Sequence, residues 1–184
     1  MIRTRLVLLL ALAGCAGPPP PEVSHYLLRA PVSGQAADAD VGSALELGPI
    51  RVAPYLERAG VVVATGEHRV HEASFHLWAE PLGDGIHVYL RDRLSSLLAG
   101  QPGPARYRVD VSVEVFHGSL RGDVTLVARW ALFDLAEGTE ISAQRFSRTA
   151  RQPGEGYPEL VAAQMQLLDA LADAIASRLR EVDG

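Results

Sequence analysis

The sequence predicts an α+β domain with two layers, in which a mostly antiparallel or mixed β-sheet is covered by two amphipathic helices. Apolar and polar residues alternate through the middle of the chain, a pattern typical of strands with one buried face. Apolar residues recur at three-to-four spacing after Pro81 and again after Pro158, a pattern typical of helices that pack on a core. Several grouped strands with two such helices to cover them indicate a sheet that is at least partly antiparallel.

The first part of the domain is predicted to contain short strands separated by turns and a loop. Three successive valines and other β-branched residues favour strands in this part. The predicted strands cover residues 25–30, 45–53 and 60–65. The second strand is interrupted at Gly48-Pro49, and residues 54–58 are expected to form a turn or a single helical turn. Residues 31–43 are rich in Ala, Gly, Ser and Asp, so we expect a loop there.

The first helix is predicted to follow Pro81, because proline is favoured at the first helical position. Gly83 and Gly85 weaken the first turn, and Gly100 and Pro102 are expected to end the helix. Its apolar face is formed by Ile86, Tyr89, Leu90, Leu94, Leu97 and Leu98.

Three consecutive strands are predicted after this helix. Residues 107–115 alternate strictly between apolar and polar side chains. A turn at residues 118–122 leads into a second strand over residues 124–133, and Glu137-Gly138-Thr139 suggests a hairpin turn into a third over residues 140–149. Short connections of this kind predict an antiparallel meander.

The last element is predicted to be a long helix that begins at Pro158, after Gly154 and Gly156. It presents one apolar face over six turns, with Asp169 and Asp173 elsewhere on its surface. The face consists of Leu160, Val161, Gln164, Leu168, Leu171, Ile175, Leu179 and Val182.

The N-terminal segment resembles a bacterial lipoprotein leader. Arg3 and Arg5 precede an apolar run, and the small residues Ala13 and Gly14 precede Cys15, the only cysteine of the chain. A buried helix or a membrane span is the other interpretation of the apolar run, but Pro18 to Pro21 follow soon after and a span needs about 20 apolar residues. We therefore expect lipidation of Cys15, with acyl chains such as palmitate, after removal of residues 1–14.

The predicted organisation has three parts. Residues 1–14 are the signal peptide, residues 15–23 are the lipidated cysteine with a proline-rich tether, and residues 24–184 are a single α+β domain. Two or three acyl chains give a lasting anchor, because each buried methylene contributes about 0.8 kcal/mol.

The composition restricts the partners. The chain has 17 basic residues, all arginine, against 22 acidic residues, so its net charge is −5. Loss of Arg3 and Arg5 with the leader would leave a net charge of −7. An acidic surface disfavours nucleic acid or anionic headgroups as the main partner, since both require concentrated positive charge. A single cysteine also excludes an internal disulfide.

Histidines and glutamates that lie close in sequence raise the question of a metal site. The cluster consists of Glu67, His68, His71, Glu72 and His76. If the segment is a strand, His68, Glu72 and His76 face one side and His71 faces the other. If it is a helix, His68 and Glu72 lie one turn apart. The cluster lacks a recognised ligand spacing, so solvated or hydrogen-bonded histidines are the preferred interpretation. We predict neither a metal nor a cofactor.

Catalytic motifs are missing from the sequence. It contains no Gly-x-Ser-x-Gly elbow, no phosphate-binding Gly-x-x-x-x-Gly-Lys run and no dinucleotide fingerprint between a strand and a helix. We therefore predict that the protein is not an enzyme and assign no catalytic residue.

The two tryptophans are candidates for the core or for a partner-binding surface. Both lie in apolar periodic segments, which favours the core. Trp78 is the better candidate for partner binding, because it sits at a predicted strand-to-helix junction and aromatic residues are enriched at interfaces. The remaining partner-contact residues are not assigned.

Several short motifs, in order along nearly the whole mature chain, resemble the PqiC (YmbA) family of ABC-type transport auxiliary lipoproteins. Departures are the absence of lysine, the long loop near residues 33–43 and His76 directly before Leu77-Trp78. The matching motifs are Pro54-Tyr55-Leu56, Gly60-Val61-Val62, Leu77-Trp78-Ala79-Glu80-Pro81-Leu82, Val113-Glu114-Val115-Phe116-His117-Gly118, Gly122-Asp123-Val124, Trp130 and Gly156-Tyr157.

This resemblance implies a non-enzymatic lipoprotein on the periplasmic face of the outer membrane of a Gram-negative bacterium. It implies a role in lipid transport between the membranes and in envelope integrity, an MCE-domain protein of the PqiB type as partner, and possible self-association into a ring. Ala16 agrees with the outer membrane, since an aspartate after the lipidated cysteine is the usual signal for inner-membrane retention. The alternative is a tethered periplasmic carrier of lipid or another small ligand, which would need an apolar cavity.

Overall fold

A seven-stranded mixed sheet with two helices on one face forms the domain. The computed structural model describes residues 21–31, 45–99 and 104–183. Cys15, the leader, most of the tether and most of the loop predicted at residues 31–43 lie outside the described residues, as do Gly100 and Pro102. The α+β fold class, with a mixed sheet and two helices, is confirmed.

Seven strands build the sheet. They are β1 (Ser24–Tyr26), β2 (Leu45–Val52), β3 (Gly60–Gly66), β4 (Arg69–Trp78), β5 (Tyr107–Ser119), β6 (Asp123–Asp134) and β7 (Thr139–Arg151). A single 3-10 turn, Pro54–Leu56, follows β2 at the predicted place. The two helices are α1 (Leu82–Leu97) and α2 (Tyr157–Asp183), and α2 begins one residue before the predicted Pro158.

The strand order is β1-β4-β3-β5-β6-β7, and β2 also pairs with β5. The first half of β5 lies parallel to β2, whereas its end lies parallel to β3 at Val63 and Ala64. The register of β2 shifts between Leu47 and Ile50, where the sequence predicts an interruption at Gly48-Pro49. The sheet therefore divides along one edge of β5, so that β2 and β3 occupy successive parts of it.

The antiparallel meander β5-β6-β7 is confirmed. The predicted turn at residues 118–122 is shorter than expected, because β5 continues through Gly118 and Ser119, which pair with β3. Parallel pairing of β1 with β4, of β2 with β5 and of β3 with β5 makes the sheet mixed.

The first strand is shorter than predicted. β1 covers Ser24–Tyr26 and not residues 25–30, because it pairs only with the last three residues of β4, His76 to Trp78. Beyond that point β4 has ended and offers no partner. Leu28 and Ala30 are nevertheless buried, so this segment packs on the core without ladder hydrogen bonds.

The helices bury their predicted apolar faces against the sheet and against each other. Ile86, Leu90 and Leu94 of α1 and Leu168, Leu171 and Ile175 of α2 are at most 3% exposed. By length and hydropathy α2 could cross a membrane, but more than half of that apolar stretch is buried in the domain. It packs on β5, β6 and β7, so it is the central helix of the core.

Candidate functional site

The helices cover one face of the sheet, and three arginines form a row across the other. Cross-strand pairing places Arg51 of β2 beside Ser112 of β5, Ser112 beside Arg129 of β6, and Arg129 beside Arg145 of β7. Side chains of directly paired residues point to the same face of a sheet. We call this surface the arginine row, defined by Arg51, Ser112, Arg129 and Arg145.

A shallow cavity of about 500 Å³ lies along the arginine row. Ala131 and Ala143, which pair with each other, form its apolar floor together with Phe133. Asp110 lies at its border and accepts a hydrogen bond from Arg108 at 3.0 Å. The surface thus combines small apolar side chains with guanidinium groups, an arrangement suited to carboxylates or phosphates.

The charges of the row are only partly balanced. Glu114 lies between two of the arginines, with an oxygen 2.6 Å from Arg129 Nε and the other 3.8 Å from Arg145 Nε. Among the described residues Arg51 makes no ion pair. One carboxylate beside three arginines leaves a positively charged surface on a protein that is acidic as a whole. This arrangement has a cost, because like charges directly opposite each other on a sheet are destabilising.

Trp78 lies at the strand-to-helix junction, as predicted. It is the last residue of β4, is 8% exposed, and its backbone N–H donates to the Ala59 carbonyl at 2.7 Å. Trp130 is 2% exposed, so the structure places both tryptophans in the core. The edge of Trp78 borders a groove of about 850 Å³ lined also by Arg51, Arg58, Glu80, Pro81 and Asp84.

Glu80 at this groove forms a bidentate ion pair with Arg29. Arg29 donates to the two carboxylate oxygens at 2.5 and 3.0 Å. These hydrogen bonds lower the pKa of Glu80 and raise the pKa of Arg29. The pair ties the chain after β1 to the start of α1.

The histidines and glutamates that suggested a metal site are separated. His68 lies in the turn before β4, and the Glu72 carboxylate accepts the Gly60 backbone N–H at 3.0 Å. His76 stacks on Tyr157 at 3.9 Å between ring centroids, and its Nδ1 shares a hydrogen bond with the Tyr26 hydroxyl. In residues 21–31, 45–99 and 104–183, no group of three His, Cys, Asp or Glu side chains is placed to hold a metal ion.

The arginine row is not evident from the sequence alone. Period-two alternation places Arg129 on the solvent side of its strand, and a strand over residues 140–149 contains Arg145. Whether these residues lie side by side depends on the register of β6 with β7, and Arg51 joins them only through the parallel pairing of β2. The signal in the sequence was the position of each arginine on a polar strand face.

Comparison with known proteins agrees with the fold and motifs. The family model described as "ABC-type transport auxiliary lipoprotein component" matches residues 26–176. The crystal structure of an uncharacterized protein is similar with 27% identity and a TM-score of 0.72, over 86% of this chain and 99% of that one. A Xanthomonas campestris protein of the DUF330 family is similar with 15% identity and a TM-score of 0.67, over the same shares of the two chains.

Comparison with curated protein sequences finds no match. The matching family consists of auxiliary lipoproteins of transporters and is not a known class of enzyme. Its model spans the domain from the end of β1 into α2 and includes the motifs around Trp78 and Trp130. The chain therefore belongs to the family of ABC-type transport auxiliary lipoprotein components, the PqiC type that its motifs resemble.

Proposed function

We propose that the protein is a non-enzymatic outer-membrane lipoprotein subunit of an MCE-type intermembrane lipid transport system. In this role it docks the component that spans the periplasm and supports the integrity of the envelope. The observation that carries the proposal is the family match over residues 26–176, which makes the chain an auxiliary lipoprotein of a transporter. The leader and Cys15 agree with this role.

Anchoring through Cys15 is the first part of the proposal. Acylation of Cys15 fixes the domain to the periplasmic face of the outer membrane, and Ala16 after the cysteine favours release from the inner membrane. The tether with Pro18 to Pro21 gives the domain reach, since proline-rich chains are semi-rigid and extended. The lipid supplies the attachment and leaves the folded domain free for protein contacts.

Docking through the arginine row is the second part. Arg51, Arg129 and Arg145 present positive charge beside an apolar floor, so they suit an acidic patch on an MCE-domain protein of the PqiB type. Complementary charge across an interface mainly determines partner choice and the rate of association. Self-association of the lipoprotein into a ring would repeat this row around the bound partner.

Copurification tests the docking part. The lipidated protein is extracted gently with its MCE-domain partner, and Arg51→Glu is compared with Arg121→Glu, a control with the same charge change at an exposed turn. Arg51 is chosen because none of the ion pairs of the described chain depends on it. We expect Arg51→Glu to reduce partner recovery at least tenfold, about 1.4 kcal/mol, and Arg121→Glu to leave it unchanged.

The two possible failures have different meanings. Equal recovery with both variants places the docking surface away from the arginine row. Repeated failure of the unchanged protein to recover any MCE-domain partner contradicts the proposed function itself.

A tethered carrier of lipid or another small ligand is the second candidate. The groove beside Trp78, at about 850 Å³, has room for part of a lipid molecule. Native mass spectrometry of the purified protein distinguishes the two candidates, because a carrier retains bound phospholipid whereas a docking subunit does not.

A further inference from the structure

Exposed apolar side chains concentrate at the β1 edge of the sheet. Of the six large apolar residues that are exposed in the described chain, Val23, Leu27, Val70 and Phe75 lie on β4 or on the segment that contains β1. Val23, Leu27 and Phe75 are 44–48% exposed. Solitary surface apolar residues are ordinary, but a group of them indicates an interaction surface.

Register places these residues on one face. β1 and β4 are parallel, with His25 beside Leu77 and Tyr26 beside Trp78. Val23 and Phe75 are the residues that directly precede the first pair of this ladder, Ser24 with His76. Alternation along the strand then puts Val23, His25 and Leu27 on the same side, opposite the inward-facing Tyr26. We call the surface formed by Val23, Leu27, Phe75 and Leu77 the apolar strip.

Formal charge is absent from this part of the molecule. Residues 23–28 and 73–79, which make up the paired segments, contain no Asp, Glu, Lys or Arg, whereas 21% of the whole chain is charged. An acidic protein is repelled by anionic headgroups, but this strip carries no carboxylate that would oppose contact with a lipid surface.

The covalent connection selects the occupant of the strip. Val23 is eight positions after Cys15. Since an extended chain spans at most about 3.6 Å per residue, Val23 lies within about 29 Å of an acylated Cys15 at the membrane surface. β1 is thus the strand nearest to the anchor along the chain, and it lies within reach of the bilayer.

We propose that the apolar strip rests in the headgroup region of the membrane to which Cys15 anchors the protein, with Phe75 and Leu27 inserted among the lipids. Amphipathic surfaces bind at this depth through buried apolar area. Contact with the strip orients the domain, whereas the lipid on Cys15 only restricts its distance. This inference rests on the anchoring part of the proposed function.

The arginine row remains available for a protein partner in this orientation. Arg129 and Arg145 of the row lie on β6 and β7, beyond β3 and β5 in the strand order, and neighbouring strands rotate by about 20–25° relative to each other. The face of the sheet that meets lipid at β1 and β4 therefore points in a different direction at β6 and β7.

Fluorescent labelling of the full lipidated chain tests the contact. Cys15 is the only cysteine and its thiol is consumed by lipidation, so Phe75→Cys introduces a single free thiol for an environment-sensitive dye. The matched control is Leu135→Cys, an exposed leucine at the β6–β7 turn near the opposite edge of the sheet. Both labelled proteins are incorporated into phospholipid vesicles that contain brominated acyl chains.

We expect the dye at residue 75 to shift to the blue and to be quenched by the brominated lipid, whereas the dye at residue 135 stays aqueous and unquenched. A dye at residue 75 that behaves like the control overturns the membrane contact. A dye that shifts to the blue without quenching is covered by protein and also overturns it. If the wild-type protein without a dye fails to float with vesicles, the result instead contradicts the anchoring through Cys15. The two failures are therefore distinguishable.

Discussion

Close approach of backbone and side chain makes two glycines of the sheet necessary. A Cβ placed on Gly118 of β5 would lie 2.6 Å from Leu160 Cδ1, because α2 packs directly against this glycine. A Cβ on Gly60 would clash with the Ala73 backbone carbonyl oxygen, at the point where the β3–β4 register shifts. The first obstacle is a side chain that can be shortened, whereas the second is backbone that cannot yield.

Gly118→Ala is expected to destabilise the fold by about 1–3 kcal/mol, because the new methyl group overpacks the contact with Leu160. Leu160→Ala alone removes buried apolar contacts and costs about 2–5 kcal/mol. In the double variant the alanine at 118 should add much less than it does alone, since its obstacle is gone. Urea unfolding of the four proteins measures this coupling, and strictly additive effects would contradict the contact.

Glu80→Gln is expected to lower stability by about 0.5–1 kcal/mol at neutral pH, the range for partly exposed ion pairs. The hydrogen bonds from Arg29 lower the pKa of Glu80 in the folded state. The stabilisation is therefore complete above the unfolded-state pKa of about 4.3 and is lost as the pH falls through the lower folded-state pKa.

Thermal unfolding between neutral and acidic pH checks this dependence. The difference between the wild-type protein and Glu80→Gln should shrink towards zero as the pH falls. Glu155→Gln, at an exposed position before α2, is the control and should show no difference at any pH. A gap that persists in acid would mean that the effect does not come from the carboxylate charge.

At the scale of elements, α1 and α2 are joined by polar groups at the border of the core. The Tyr89 hydroxyl of α1 is buried, and its one proton is within hydrogen-bond distance of two acceptors, Asp169 Oδ1 at 3.1 Å and the Met165 carbonyl oxygen at 3.3 Å. Arg93 of α1 lies 3.0 Å from the same aspartate and 3.7 Å from Asp173. These contacts set the rotation of one helix against the other, which apolar packing alone determines less sharply.

Tyr89→Phe is expected to cost about 0.5–1.5 kcal/mol at neutral pH through loss of the hydroxyl hydrogen bonds. Burial, and next the neighbouring Asp169, raise the pKa of Tyr89 above its ordinary value. The contribution of the neutral hydroxyl is therefore full below the unfolded-state pKa of about 10 and declines as the pH rises above it. Denaturant unfolding at neutral and alkaline pH should show the gap to the wild-type protein closing in alkali.

Tyr157→Phe is the matched control for this change. The Tyr157 ring stacks on His76, so replacement by Phe keeps the ring contact. A loss of stability in Tyr157→Phe as large as that in Tyr89→Phe would contradict the assigned role of the Tyr89 hydrogen bonds.

The strand β4 illustrates how a register shift conceals an element. Between the pairs Gly60–Leu77 and Val62–Glu72, β4 has four intervening residues whereas β3 has one. The extra residues change the phase of alternation, so that Val70 and Phe75 both point outward although five positions separate them. A strict period of two therefore fails across β4. For this reason the sequence alone does not decide between a strand and a helix for the segment from His68 to His76.

At the scale of the whole molecule, anchor and fold are predicted to be independent. Cys15→Ala should leave the domain folded with unchanged thermal stability, because no disulfide can use that thiol and the family match begins only at residue 26. The variant should lose membrane attachment completely. Circular dichroism and flotation with vesicles measure the two properties, and an unfolded variant would refute the assignment of Cys15 as a lipidation site.

The sequence by itself determined the class of the domain, the meander, both helices and the family. Periodicity reports which side of an element is buried, and this information is local, so Gln164 and Leu168 were placed correctly on the inner face of α2. Residues next to proline or glycine punctuation, such as Leu82 at the start of α1, were also placed well, because these residues act on the backbone directly.

Only the tertiary structure decided which surfaces exist. The arginine row and the apolar strip both depend on the register between strands that are distant in sequence, Arg51 with Ser112 and His25 with Leu77. Parallel pairing brings such residues together through long connections, and no local pattern records the partner that a strand will choose. Polar and apolar faces are thus a property of the sequence, but their assembly into a binding surface is a property of the fold.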